Sequence, residues 1–348
     1  MFRPVRVCGL LGLFLGALYS SASPANAATP AQTAPAITTS FDVFWPAARG
    51  KPFAEQEALW NRLIEGPRED LYRGVVWEVR DNPRWHENKD MMLKARFAQY
   101  PGIASQIPGE AEGIEAQLRT QTARFRALFP GAAAVPRAVI VLAPNFDAKS
   151  GILPDGTPVL ALAADSLALE KANLGIVLPH ELFHLYDAEH AGVKNDGVMA
   201  DTALTLPLFA EGLATYVSTV ASPGYSDGQY LFLQSDMGML PRSRLPEAAR
   251  DFLRVAGALT IGAAGHGISR PYAQWFEGSN KPLNPGFPNR AGYWLGLNLI
   301  RQLRRAYSLE QLASWSPAEA QQRTRATLAE IAGGRPQREV ERQLGHTP

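Results

Sequence analysis

Pro179-His180-Glu181-Leu182-Phe183-His184-Leu185-Tyr186-Asp187-Ala188-Glu189-His190 is the stretch around which the rest of the chain is read. On a helix, residues four apart lie one turn apart, so His180 and His184 project from one face and can grip a single ion. Glu181 sits about 100° round the same helix. From there its carboxylate can reach a water held by such an ion without itself being a ligand. Three of the six histidines in the chain fall within these twelve residues. His-Glu-x-x-His is the zinc-binding and catalytic signature of metal-dependent peptidases, and it directs attention to a third ligand, a nearby strand and room for a substrate.

The surrounding composition suits a soluble globular chain. Of 348 residues, 46% are hydrophobic and 19% charged, enough length for one large domain or two lobes. Lys plus Arg (34) nearly balances Asp plus Glu (33), and no long run of one sign exists, so nothing points to nucleic acid. The N-terminus reads as an export signal. Arg3 and Arg6 precede an apolar core from Val7 to Leu18, and Ala25-Asn26-Ala27 fits a small-x-small cleavage site, which puts cleavage near Ala27. Residues 1–27 are thus expected to be removed and the mature chain to be periplasmic or secreted. Cys8, the only cysteine, leaves with them. No later apolar run approaches membrane-spanning length.

Residues 28–40 read as a disordered leader, with ordered structure beginning at Phe41, Phe44 and Trp45. Helical spacing marks 54–65 and 110–128, the second closed by Pro130-Gly131. Residues 66–85 give no clear pattern. Ala138 to Leu142 and Thr157 to Leu162 read as strands separated by a Gly/Pro/Asp loop. Such strands either belong to the core or offer an edge to an extended peptide. The metal helix is expected to start between Asn173 and Pro179, with a kink or fresh start at Pro179, and to stop at Gly192. A second helix carries Leu208 to Val217. Residues 222–228 read as a turn, 246–259 as a helix, and 262–288 as a long loop forming a wall or lid. Helices over 291–307, after Ser308 and after Ser316-Pro317 complete the chain, with a polar tail beyond 335. The fold class is α+β and mostly helical. A single domain over 41–335 would comprise an N lobe (41–192) with a small sheet and a helical C lobe (193–335).

Catalytic zinc takes three protein ligands and leaves one position open. His190 is one candidate third ligand, since His-Glu-x-x-His-x-x-Asp-x-x-His has the metzincin spacing. That pattern needs a glycine turn where this chain has Asp187. On an unbroken helix His190 lies roughly 9 Å beyond His184 and about 120° away, too far to share the ion. Glu211 is the other candidate.

His-Glu-Leu-Phe-His at 180–184, Phe-Ala-Glu-Gly-Leu-Ala-Thr-Tyr at 209–216 and Arg-x-Gly-Tyr-x-x-Gly at 290–296 together resemble a bacterial family of zinc-dependent peptidases of the gluzincin type, many of whose members are known only as domains of unknown function. The resemblance covers roughly residues 130–330. It implies a zincin-like, thermolysin-like site in which His180, His184 and Glu211 bind Zn2+, Glu181 is the general base and Tyr293 hydrogen-bonds the oxyanion. The substrate would be a peptide or protein. One departure is Thr215, at a position where gluzincins often carry an Asp that orients a ligand histidine. Asp187 is the substitute considered for that role, while His86 and His266 read as incidental. Two readings compete with the peptidase: a non-catalytic zinc-containing scaffold or peptide-binding protein, and a metal hydrolase acting on a non-peptide amide.

Overall fold

A computed structural model describes residues 36–79, 85–133, 136–153, 155–190, 202–231, 240–260, 268–278 and 283–333. The signal segment, residues 28–35 of the leader, Gly192, His266 and the tail lie outside the described residues. Among the described residues, no helix is long and apolar enough to cross a membrane.

Order begins earlier than the composition suggests. Helix α1 spans Ile37–Ala48, and Ile37, Phe41, Phe44 and Ala48 recur at helical spacing and are all buried. The leader assignment is therefore too long by at least the four residues 37–40, because Ile37 supplies an apolar anchor that a Thr/Ala/Pro-rich context masks. Helix α2 (Phe53–Trp60) widens into a π-helical turn over Asn61–Glu65. The unassigned region that follows contains a second such turn, Tyr72–Val76. Helix α3 (Trp85–Ile103) brings Phe97 and Tyr100 against Phe41, Phe44 and Trp60 in an aromatic cluster. Helix α4 (Ile107–Leu128) follows.

The sheet has three strands among the described residues: β1 (Ala138–Val141), β2 (Ala148–Ile152) and β3 (Pro158–Ala163), in the order β1-β3-β2. β1 runs parallel and β2 antiparallel to β3. β2 escaped the sequence pattern because Lys149, Ser150 and Gly151 do not read as a buried strand. Lys149 is nevertheless buried, its charge met by Glu78 at 2.6 Å. A hairpin closes between Leu153 and Thr157, with Gly156 at φ +83°, a conformation costly for other residues. Helix α5 (Ala164–Glu170) is tied to α3 by a buried network. Asp165 accepts the Ala143 N–H and the Tyr100 hydroxyl, and faces Arg96 at 3.4 Å.

Helix α6 (Leu174–His190) carries the histidine motif. It starts where Asn173 accepts the Gly175 N–H through its side chain, and it continues past Pro179 without a fresh start. Across it lies helix α7 (Thr205–Ala221). Helix α8 (Leu245–Val255) and helix α9 (Arg270–Phe276) come next. α9 corrects the long-loop reading of 262–288. Ser269 caps it by accepting the Tyr272 N–H, and Tyr272, Trp275 and Phe276 are buried. A short apolar helix inside a Gly/Pro/Asn-rich stretch gives too few residues for a periodicity to emerge. Helices α10 (Ala291–Leu303), α11 (Leu309–Ala313) and α12 (Pro317–Gly333) complete the described chain, α11 with a capping box between Ser308 and Gln311. The molecule is α+β and mostly helical, and its apolar side chains form one continuous core from Ile37 to Leu328.

A close helix crossing lies beside the motifs. α7 and α10 cross where Gly212 meets Gly296, and a Cβ on Gly212 would fall 2.5 Å from the Gly296 carbonyl. One on Gly296 would fall 2.6 Å from the Leu208 carbonyl oxygen. Only a pair of residues without side chains lets the two backbones approach so far.

Candidate metal centre

Three side chains from two helices converge. The Nε2 atoms of His180 and His184 stand 3.0 Å apart on one face of α6. Oε2 of Glu211, delivered by α7, lies 3.2 Å from the first and 3.4 Å from the second. Among the described residues this is the one His/Cys/Asp/Glu group compact enough to hold an ion. A tetrahedral ion with bonds of about 2.0–2.1 Å spaces its ligand atoms about 3.3–3.4 Å apart, close to the edges of this triangle. The chemistry of the donor set agrees. Two imidazole nitrogens and a carboxylate oxygen point at one another, Glu211 Oε2 is buried, and no hydrogen bond of normal geometry reaches it. A cation between the three atoms relieves that arrangement.

Electrostatics follow from burial. His180 is fully buried, and loss of water holds its imidazole below the usual histidine range despite the Glu211 carboxylate beside it. Burial also works against charge on His184, but Glu211, Glu181 and Asp187 outweigh it and lift that imidazole to about 9. Glu211 loses solvation too, yet the facing imidazoles, His184 first, hold its carboxyl well below the ordinary range. Glu181 is pushed up to about 8 by burial, with Asp147 and Glu211 adding and His184 opposing. Its Oε2 is buried without a hydrogen bond, so it is an acid–base group of poised affinity next to the cluster.

Comparison with protein-family models, with curated proteins and with solved structures finds no match for this chain.

Of the two candidate third ligands, the structure brings Glu211 to the histidines and leaves His190 away from them. His190 is exposed, stacks on Tyr186 with ring centroids 4.0 Å apart, and bonds the Tyr186 carbonyl through Nδ1 at 2.9 Å. The helix is unbroken to that point, so the metzincin-like alternative lacks the turn it requires. Tyr293 is buried on α10 with its ring stacked near His180, centroids 6.4 Å apart. Burial and the Glu211 charge keep its phenol protonated. Thr215 uses its hydroxyl to bond the Glu211 carbonyl at 2.7 Å, which ties down the backbone of α7 rather than an imidazole. Asp187 is raised to about 6 by burial, and among the described residues it makes no hydrogen bond to a ligand histidine. His86 packs on Trp85 and is not one of the three clustered groups.

Three contributors were missed from sequence. Asp147, before β2, acts electrostatically on both Glu181 and His180. Ser150 of β2 donates to the Glu181 carbonyl at 3.4 Å, fixing the strand against the motif. Tyr272 of α9 is buried within the field of Glu211. Asp147 follows Pro144-Asn145-Phe146, which reads as an ordinary turn, and no local pattern marks the other two.

Proposed function

We propose that the protein is an exported, zincin-like peptidase of the gluzincin type, using Zn2+ held by His180, His184 and Glu211. The observation that carries this reading is the meeting of a carboxylate from α7 with two imidazoles of α6, with a second, non-ligand carboxylate, Glu181, buried alongside. A structural zinc site would use four protein ligands and has no need of that extra acid. Zinc bound there supplies Lewis acidity, polarising a carbonyl and lowering the pKa of a water to about 7.

The chain's own groups do the rest. Glu181 accepts a proton from the attacking water as the water oxygen bonds the peptide carbonyl carbon. When the carbon–nitrogen bond breaks, the same carboxyl passes that proton to the leaving amine. Tyr293, protonated at every physiological pH, donates toward the negative charge that develops on the carbonyl oxygen. β2 is the strand with which an extended peptide could pair. The Asp147–Ala163 and Leu153–Thr157 backbone bonds fix which groups of β2 face β3, and by alternation the N–H and C=O of Ser150 face outward. Among the described residues no strand pairs with that edge, but Ala148, Lys149 and Ser150 are buried, so an extended peptide adds there beside Glu181 only if the chain packed on β2 moves aside.

Glu181→Gln tests the assignment. The variant should keep its zinc and lose hydrolysis of an unstructured peptide by about 100-fold or more. Full activity in a zinc-loaded Glu181→Gln protein would remove the proposed base.

A further inference from the structure

Arg290 opens the third motif, and the reaction as derived gives it no task. It is buried, with 7% of its surface exposed. Its backbone is left-handed, φ 63° and ψ 19°, one residue before α10. Arginine adopts that region at a cost that glycine or asparagine does not bear, and Asn289 stands immediately before it. The guanidinium lies 5.5 Å from the centroid of the Tyr293 ring. Tyr293 in turn stacks near the ligand His180, and it meets Phe276 edge-on at 6.3 Å. A buried cation over an aromatic face is held by the ring's quadrupole, and the ring is held equally by the cation. Gly292 belongs to the same device. A Cβ there would strike the Phe276 ring at 2.6 Å, so α9 presses on the start of α10 and fixes the ring's third neighbour.

We propose that Arg290 is a positioning residue for Tyr293: clamped over the ring face at the strained entry to α10, it sets the phenol in the orientation from which it donates to the oxyanion. This rests on the peptidase reading above. Arg290 itself touches no reacting atom. Its removal therefore lowers the stabilisation of the tetrahedral state while substrate binding stays the same.

The test is a double-mutant cycle on the zinc-loaded full-length protein with Arg290→Gln, Arg290→Lys, Tyr293→Phe and the Arg290→Gln/Tyr293→Phe pair. Two quantities are measured: kcat and KM for an unstructured peptide, and Kd for a phosphinic peptide that mimics the tetrahedral state. Arg290→Gln should lower kcat and weaken phosphinic-peptide binding, each by about tenfold or more, with KM unchanged. Arg290→Lys, which keeps a cation over the ring, should recover part of both. In the Tyr293→Phe background, Arg290→Gln should add little. Equal losses with and without the Tyr293 hydroxyl would overturn the positioning role, and so would a rise in KM alone. If the unsubstituted zinc-loaded protein neither cleaves the peptide nor binds the phosphinic analogue, the peptidase reading fails first, and the role of Arg290 with it.

Discussion

Gly212→Ala is the most informative single change, because the adjacent residue is the proposed ligand Glu211. A Cβ at position 212 arrives 2.5 Å from the Gly296 carbonyl carbon and oxygen, about 0.9 Å short of ordinary contact. Both obstructing atoms are backbone, so no side chain can rotate away. α7 and α10 must part by roughly that distance, at a cost of about 1–3 kcal/mol for an overfilled contact. Glu211 moves with α7. Its Oε2 now stands 3.2 and 3.4 Å from the two imidazole nitrogens, and a shift approaching 1 Å takes it out of range for a shared ion with bonds of about 2.0–2.1 Å. Zinc affinity should fall about 10–100-fold, the range typical when the support of a metal ligand is disturbed. Chelator competition gives the affinity and thermal denaturation the stability. Gly113→Ala is the control. It also places alanine within a helix, α4, but into open space, and should leave zinc binding unchanged. A Gly212→Ala protein that binds zinc as tightly as the parent would refute the claim that this crossing sets the ligand.

Two further outcomes are expected. In the zinc-free protein His184 holds a proton below about pH 9, because nearby carboxylates favour its charged form. Zinc must displace that proton, so affinity should weaken roughly tenfold per pH unit as pH falls below 9; competition titrations that stay flat between pH 6 and 9 would contradict this. Asp165→Ala strands the buried Arg96 and leaves the Ala143 N–H without its acceptor, and should cost about 3–5 kcal/mol in denaturant unfolding. A loss below about 1 kcal/mol would mean that the pair behaves as an exposed one.

Much of the centre was legible because helices advertise themselves. His180, Glu181 and His184 are local neighbours, so their shared face follows from helical pitch alone. Glu211 was reachable only through a motif, since nothing in the spacing of residue 211 says which helix it faces. The contact that places it, Gly212 on Gly296, spans 84 residues and belongs to tertiary packing. β2 was hidden because burial of Lys149 depends on Glu78, a partner invisible to a period-two pattern. The same holds for Asp147 and Tyr272, whose influence on the site acts through space. α9 was lost among glycines and prolines, although Ser269-Arg270-Pro271 is a cap followed by a proline in the first turn.

The central claim is that His180, His184 and Glu211 hold one zinc ion at which peptides are cleaved. It is tested most directly by stripping the mature protein of metal and returning zinc in measured amounts while following hydrolysis of an unstructured peptide. Activity should be absent at first, rise in proportion to zinc and level off at one ion per chain. Hydrolysis that persists without metal, or none at a full equivalent of bound zinc, would contradict the account.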